Sequence, residues 1–225
     1  MVVKRSEFKG ILAGMLLGDA GLRQAEGRRN ASLSIQHGAR QREYLLHKVT
    51  FLRGLTSVRV NEVGGKYPGV VCSTLTHPLY TRLRRLAYRE RHKRVARTWL
   101  NWLTPHGLAI WYMDDGGITK QYSVNKSGRR RIFARQVLIA TCSFSLEECM
   151  TLIEFVKERF GVEFKIKRDG KYFRLRLGAL GAPKFFDIIR PYVVPSMMYK
   201  LDMSYEQARP NEGLRLIAED PVRAA

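Results

Sequence analysis

Two ten-residue segments of this chain, LAGMLLGDAG at 12–21 and LAIWYMDDGG at 108–117, superpose with Leu, Ala, Asp and Gly at the first, second, eighth and tenth positions. Internal self-similarity constrains a fold more tightly than composition does, because each copy must build the same supersecondary unit. The matched acids are Asp19 and Asp115, and Asp114 falls opposite Gly18. The sequel repeats as well. A basic, polar stretch (RQAEGRRNAS, then TKQYSVNKSGRRR) precedes an alternating, strand-like segment (SLSIQ, then RQVLIAT). An amphipathic helix follows, with Leu45, Val49 and Leu52 in one copy and Cys149, Leu152, Ile153, Val156 and Phe160 in the other. Ser145 and Glu148 form a capping box there, and Gly161 is the stop.

Two more strands come next in each copy, SVRVNEV and GVVCSTL, then VEFKIKR and KYFRLRL, joined by the turns GGKYPG and RDGK. Closing helices are expected at HPLYTRLRRLAY and at APKFFDII, where Pro183 suits a helix start. Both halves thus read α-β-β-α-β-β-α, with a period of roughly 96 residues, far beyond solenoid repeats. The expected organisation is a first repeat over 1–88, a basic linker over 89–104, a second repeat over 105–203 and a polar tail over 204–225.

The strands also say where the charge goes. Phe173, Leu175 and Leu177 alternate with Tyr172, Arg174 and Arg176, and Phe164 and Ile166 with Lys165 and Lys167. In the first half, Leu33 and Ile35 alternate with Ser32, Ser34 and Gln36, and Val58 and Val60 with Arg59 and Asn61. One face of each sheet is apolar and needs a helical cover. The other carries side chains that read base edges in a major groove. With 40 Lys+Arg against 20 Asp+Glu and a formal charge of +20, the chain calls for a polyanion, and duplex DNA fits both charge and two-fold character. Arg135 joins the strand set. Lys120, Lys126, Arg129, Arg130 and Arg131, read as loop residues, would engage phosphates.

Membrane association is not indicated: ILAGMLLG is too short to span a bilayer and ends in Asp19. Cys72, Cys142 and Cys149 have neither a zinc-site spacing nor the pattern of a disulfide framework, which fits reduced thiols inside a cell.

Gly10, Gly14 and Gly18 recur every four residues and line one helix face, so a second helix can approach closely. If the two motif helices cross there, Asp19 and Asp115 meet at two helix C-termini, where acids are unfavourable without a cation. Carboxylates with main-chain carbonyls suit Mg²⁺, and such a site opposite a phosphate can support hydrolysis.

The two motifs, with the contexts LTPHGLAIWYMDDGG and VPSMMYKL, resemble those of single-chain LAGLIDADG homing endonucleases over about residues 8–203. The resemblance implies an α+β fold of two pseudo-symmetric αββαββα repeats, packed through the motif helices, with saddle-shaped antiparallel sheets on DNA. It implies divalent-metal-dependent (Mg²⁺ or Mn²⁺) cleavage of both strands of a long asymmetric target by a monomer.

By the same resemblance, Asp19 and Asp115 are the catalytic, metal-binding acids, and Gly18 and Asp114 offer main-chain carbonyls. Lys200 and its first-repeat counterpart Lys93 polarise solvent or the scissile phosphate, and Gln36 is a polar neighbour. Ile110 replaces the second motif's helix-contact glycine, which predicts a looser or asymmetric crossing. Leu17 and Met113 replace the motif's first, structural acid.

The Met1 start and a length too short for a splicing domain favour an intron or free gene over an intein. The protein is expected inside a cell, whether bacterial, phage-borne or organellar. The alternatives weighed are a splicing maturase that binds host intron RNA and a catalytically silent DNA-binding protein. Retention of both acids counts against the latter.

Overall fold

Arg5–Leu17 form α1, apolar along most of its length and buried from Gly10 onward. Two strands follow, β1 (Gly21–Arg23) and β2 (Ser32–Gly38), then α2 (Arg42–Leu52), β3 (Val58–Val63), β4 (Gly69–Thr74) and α3 (Pro78–Ala87). A small hairpin, β5 (Tyr88–Arg89) with β6 (His92–Lys93), and the short α4 (Arg97–Leu100) lead to α5 (Pro105–Asp115). Thr104 caps α5 by accepting from the Gly107 N–H, with Pro105 at the first turn. The order then recurs as β7 (Gly116–Val124), β8 (Arg130–Ala140), α6 (Leu146–Phe160), β9 (Lys165–Asp169), β10 (Tyr172–Gly178) and α7 (Ala182–Ile189). This computed structural model describes residues 4–124 and 130–203, with positions 120–124 and 130–134 described by backbone alone.

The α+β class and the αββαββα order agree with expectation. Each half makes an antiparallel four-stranded sheet, β1-β2-β4-β3 and β7-β8-β10-β9. Both sheets bury one face, through Leu33, Ile35, Val70 and Cys72 in the first and Val137, Ile139, Leu175 and Leu177 in the second, and the helices complete a single hydrophobic core. α6 has the expected Ser145–Glu148 capping box and a left-handed Gly161 stop.

Several sequence expectations need correction. Lys120 lies within β7, and Arg130 and Arg131 within β8, so none is a loop residue. The basic stretch pairs as a long hairpin with an irregularity at Gln121/Tyr122; its many charges hid the strand pattern. Lys126 and Arg129 lie outside the described residues. The segment after Gly161 reaches strand geometry only at Lys165, although Val162 and Phe164 are already buried in the core. The 89–104 segment carries Val95, Trp99, Leu100 and Leu103 into the core.

The crossing of α1 with α5 is asymmetric but not loose. A Cβ on Gly14 would stand 2.0 Å from the Gly107 carbonyl oxygen, and one on Gly107 would stand 2.0 Å from that of Gly10. Gly107, three residues before Ile110, is therefore the contact glycine of α5, and the backbones touch without side chains between them.

Candidate active site and nucleic-acid face

Because α1 and α5 cross through glycines, their C-terminal ends lie together. Gly18 faces the Asp114 side chain, with the Cβ position 2.2 Å from Asp114 Oδ2, and the Asp19 N–H donates to that oxygen at 3.1 Å. Asp114 and Asp115 diverge, as consecutive helical residues must. The Asp114 side chain is fully buried and accepts from Tyr44 Oη at 2.7 Å and Lys48 Nζ at 2.5 Å. Asp19 is more open, its side chain 41% exposed.

Two lysines approach the helix ends in parallel fashion. Lys93, at the end of the β5–β6 hairpin, donates to the Gly18 carbonyl at 2.8 Å. Lys200, in the 3-10 segment Pro195–Leu201, donates to the Met113 carbonyl at 2.5 Å and lies 3.3 Å from that of Asp114. Tyr112 Oη donates to the Lys200 carbonyl at 2.7 Å and anchors that segment. Each lysine therefore covers a carbonyl one or two residues before an acid. Helix C-terminal carbonyls favour such cations.

The electrostatics are those of acids crowded out of water. Burial first, then Asp19 and Asp114, pushes the Asp115 carboxyl up to about 7. Burial first, then Asp114, raises Asp19, against the pull of Lys48, Lys93 and Lys200. Burial lowers both Lys93 and Lys200, and the acids hold them up in part.

Oxygen atoms of Asp19 and Asp114 and a ring nitrogen of His37 lie within 4.8 Å of one another. That trio does not suit a cation. The Lys48 ammonium occupies it, bonded to Asp114 and 3.0 Å from His37 Nε2. The oxygen set around Asp19, Asp115 and the carbonyls of Gly18 and Asp114 fits better. It is oxygen-only, its two carboxylates are both raised by burial and by their acidic neighbours, and a carbonyl that accepts one lysine bond keeps a second lone pair.

Gln36 is exposed on β2 and has no described bond to either acid. Its neighbour His37 points the other way and reaches Asp19 Oδ2, 3.4 Å from Nδ1. His37, Tyr44 and Lys48 escaped the sequence reading. The signal was there: His37 continues the inward series of Leu33 and Ile35, and Lys48 sits in the buried stripe of α2.

The strand residues largely share one face per sheet. Ser34, Gln36, Arg59 and Asn61 are exposed together, with Ser32 half-buried. In the second sheet Arg174 stands opposite Lys167, and Arg176 opposite Lys165. Like charges directly opposed across strands destabilise a sheet, so this pairing makes sense against an anion. Asp169 compensates Arg174 at 2.5 Å, and Arg176 donates to the Gln136 side-chain oxygen Oε1 at 3.4 Å. Tyr172 is exposed on the same face. Arg135 does not join them: it shares a face with Val137 and Ile139, on the helix-covered side.

The chain is 31% identical over 198 residues to a protein named RecA from Mycolicibacterium flavescens, a match covering 85% of this chain and 45% of that protein. It thus spans less than half the length of the RecA relatives it matches. It is 27% identical to a probable intron-encoded endonuclease 1 of Wickerhamomyces canadensis (84% of this chain, 81% of that one). It is 26% identical to the cytochrome b mRNA maturase bI2 of Debaryomyces hansenii (87% and 73%).

Among solved structures, the homing endonuclease I-WcaI bound to its DNA recognition sequence superposes with a TM-score of 0.76 at 20% identity, covering 91% of this chain and 90% of that one. The LAGLIDADG meganuclease I-AabMI bound to uncleaved DNA gives 0.56 at 11%, covering 86% and 87%. These likenesses show the fold. Residues 9–185 match the model of the LAGLIDADG DNA endonuclease family, and with both motif segments, 12–21 and 108–117, inside that span the chain belongs to this family.

Proposed function

We propose that the protein is a site-specific DNA endonuclease, encoded by a mobile intron, that makes a double-strand break by divalent-metal-dependent phosphodiester hydrolysis. The observation that carries this reading is the paired helix end. Asp19 and Asp115 come together at the α1–α5 crossing, with Lys93 and Lys200 bonded to the carbonyls beside them. The two αββαββα halves, 1–88 and 105–203, are read as repeats joined by 89–104, acting together as a monomer inside the cell. Among the described residues no helix is long and apolar enough to cross a membrane.

In this reading Asp19 and Asp115, with the carbonyls of Gly18 and Asp114, hold Mg²⁺ or Mn²⁺. The bound cation supplies water activation and stabilises the leaving oxygen. The chain's own residues do the rest. Ser32, Ser34, Gln36, Arg59 and Asn61 on one sheet, and Lys165, Lys167, Tyr172, Arg174 and Arg176 on the other, grip the major groove on either side of the acids. Lys93 and Lys200 hold protons at Nζ beside the acids, where a phosphate oxygen would accept a charge-assisted hydrogen bond. The glycine crossing keeps the two centres at a fixed separation.

The test is conversion of a supercoiled plasmid carrying the intron-less host locus to a linear product in Mg²⁺, with none in chelator. Persistence of the supercoiled form at every candidate locus overturns the nuclease reading. The maturase bI2 relative supports a second reading, splicing of host intron RNA. Rescue of splicing in vitro without DNA cleavage would establish it instead.

A further inference from the structure

His37 and Lys48 are buried, titratable and unused by the hydrolytic scheme. His37 is 4% exposed on the core side of β2, and Lys48 is fully buried on α2. An ammonium in such a place must be paired. Lys48 is paired twice, with Asp114 Oδ1 at 2.5 Å and His37 Nε2 at 3.0 Å, and it also lies over the Tyr44 ring.

An ammonium donates and cannot accept. His37 Nε2 must therefore present its lone pair to Lys48, and the proton of the neutral ring must sit on Nδ1. That nitrogen faces Asp19 Oδ2 at 3.4 Å. Asp114, at the far end, takes the Asp19 N–H on its second oxygen. Asp19 thus meets both ends of a buried relay, Asp114–Lys48–His37, that spans the two halves: its N–H bonds Asp114, and its carboxylate lies 3.4 Å from His37 Nδ1.

Among the described residues the second half shows no such relay. Gly21 pairs with Ser34 and Gly117 with Leu138, which places Thr141 where the first half has His37. The Thr141 hydroxyl is spent on the Phe173 carbonyl at 2.8 Å. Matching the buried stripes of α2 and α6 sets Leu152 against Lys48. Gly18, with no side chain, stands where the second motif has Asp114.

We propose that His37 is a positioning residue for Asp19, fixed in its Nδ1–H form by Lys48, and that the two acids are therefore unequal centres. This rests on the nuclease reading for its effect on cleavage, but the proton's position does not. Losing His37 slows hydrolysis of the strand served by Asp19 and spares the other.

The experiment has two arms. In the free protein, long-range ¹H–¹⁵N correlation of the ring is expected to find a neutral Nδ1–H tautomer at pH 7; a proton on Nε2 overturns the relay. In the second arm, both strands of a duplex recovered by wild-type cleavage of a randomised plasmid library are end-labelled and followed separately. His37→Leu is expected to slow one strand about 10- to 100-fold, the same strand that Asp19→Asn affects more, so that nicked DNA accumulates. His37→Asn, whose amide nitrogen stands where Nδ1 stood, restores most of that rate. Equal slowing of both strands, or none, overturns the proposal. A wild type that cuts nothing overturns the nuclease reading instead, and the tautomer then decides the relay alone.

Discussion

Gly14→Ala is the sharpest test of how the two acids are brought together. The added methyl would sit 2.0 Å from the Gly107 carbonyl oxygen and 2.6 Å from its Cα and carbonyl carbon. Ordinary contact begins near 3.4 Å, so the helices must separate by about 1.4 Å, and a gap of that order forfeits half or more of the local dispersion contact. The obstacle is backbone, so no rotamer change relieves it. Alanine gains about 1 kcal/mol of helix propensity over glycine, against an overpacking cost of about 1–3 kcal/mol or more. The net expectation is a loss of about 2 kcal/mol in urea unfolding. The effect on cleavage is larger, because a displacement of about 1 Å in a reacting group can cost about a hundredfold. Gly64→Ala, whose Cβ position has nothing within 4 Å, is the control and should change little. A Gly14→Ala protein with wild-type stability and cleavage rate would refute the backbone-to-backbone crossing.

Three further outcomes follow from the same geometry. Asp114→Ala leaves the buried Lys48 ammonium without its anionic partner, and should cost about 3–5 kcal/mol in denaturant unfolding; Asp114→Asn with Lys48→Met should cost less than the sum of the single changes. His106 is held down to about 4, first by burial and then by His47, while stacked on Tyr192 and 3.4 Å from Glu7. The unfolded chain binds the extra proton between about 4 and 6.5, so His106 makes stability fall as pH drops through that window, by at most about 1.4 kcal/mol per pH unit. His106→Phe should flatten the slope relative to wild type, and an unchanged slope would place the buried proton equilibrium elsewhere. DNA binding should weaken steeply with salt, and Lys165→Ala, which removes one cation from the groove-facing sheet, should reduce the slope of log K on log salt by about 0.9; an unaltered slope would mean that Lys165 neutralises no phosphate.

The repeat, the element order and the crossing helices were legible because each leaves a periodic trace: glycines every four residues, apolar residues alternating along strands, caps at helix ends. The basic stretch that forms β7 and the start of β8 was not, because charge masks alternation and long-range pairing sets its register. Gly107 was missed for a related reason. Motif alignment pairs Gly14 with Ile110, but the helices cross with a stagger, and the residue that touches Gly14 lies one turn earlier. The role of the Asp114 side chain was not legible, because its counterpart in the alignment, Gly18, has none, and its partners, Tyr44 and Lys48, come from a helix far away in sequence. A histidine on the core side of a strand and a lysine in a buried stripe each have an ordinary reading alone. Only the fold puts His37 and Lys48 3.0 Å apart.

Asp19 and Asp115 are the two residues on which the proposed cleavage depends most directly. Purified wild type, Asp19→Asn and Asp115→Asn should be compared on one cleavable duplex in Mg²⁺, with binding measured in parallel by gel shift. Both variants are expected to bind with near wild-type affinity and to make no double-strand break. A wild-type break by either variant would contradict the assignment of the paired helix ends as the catalytic centre.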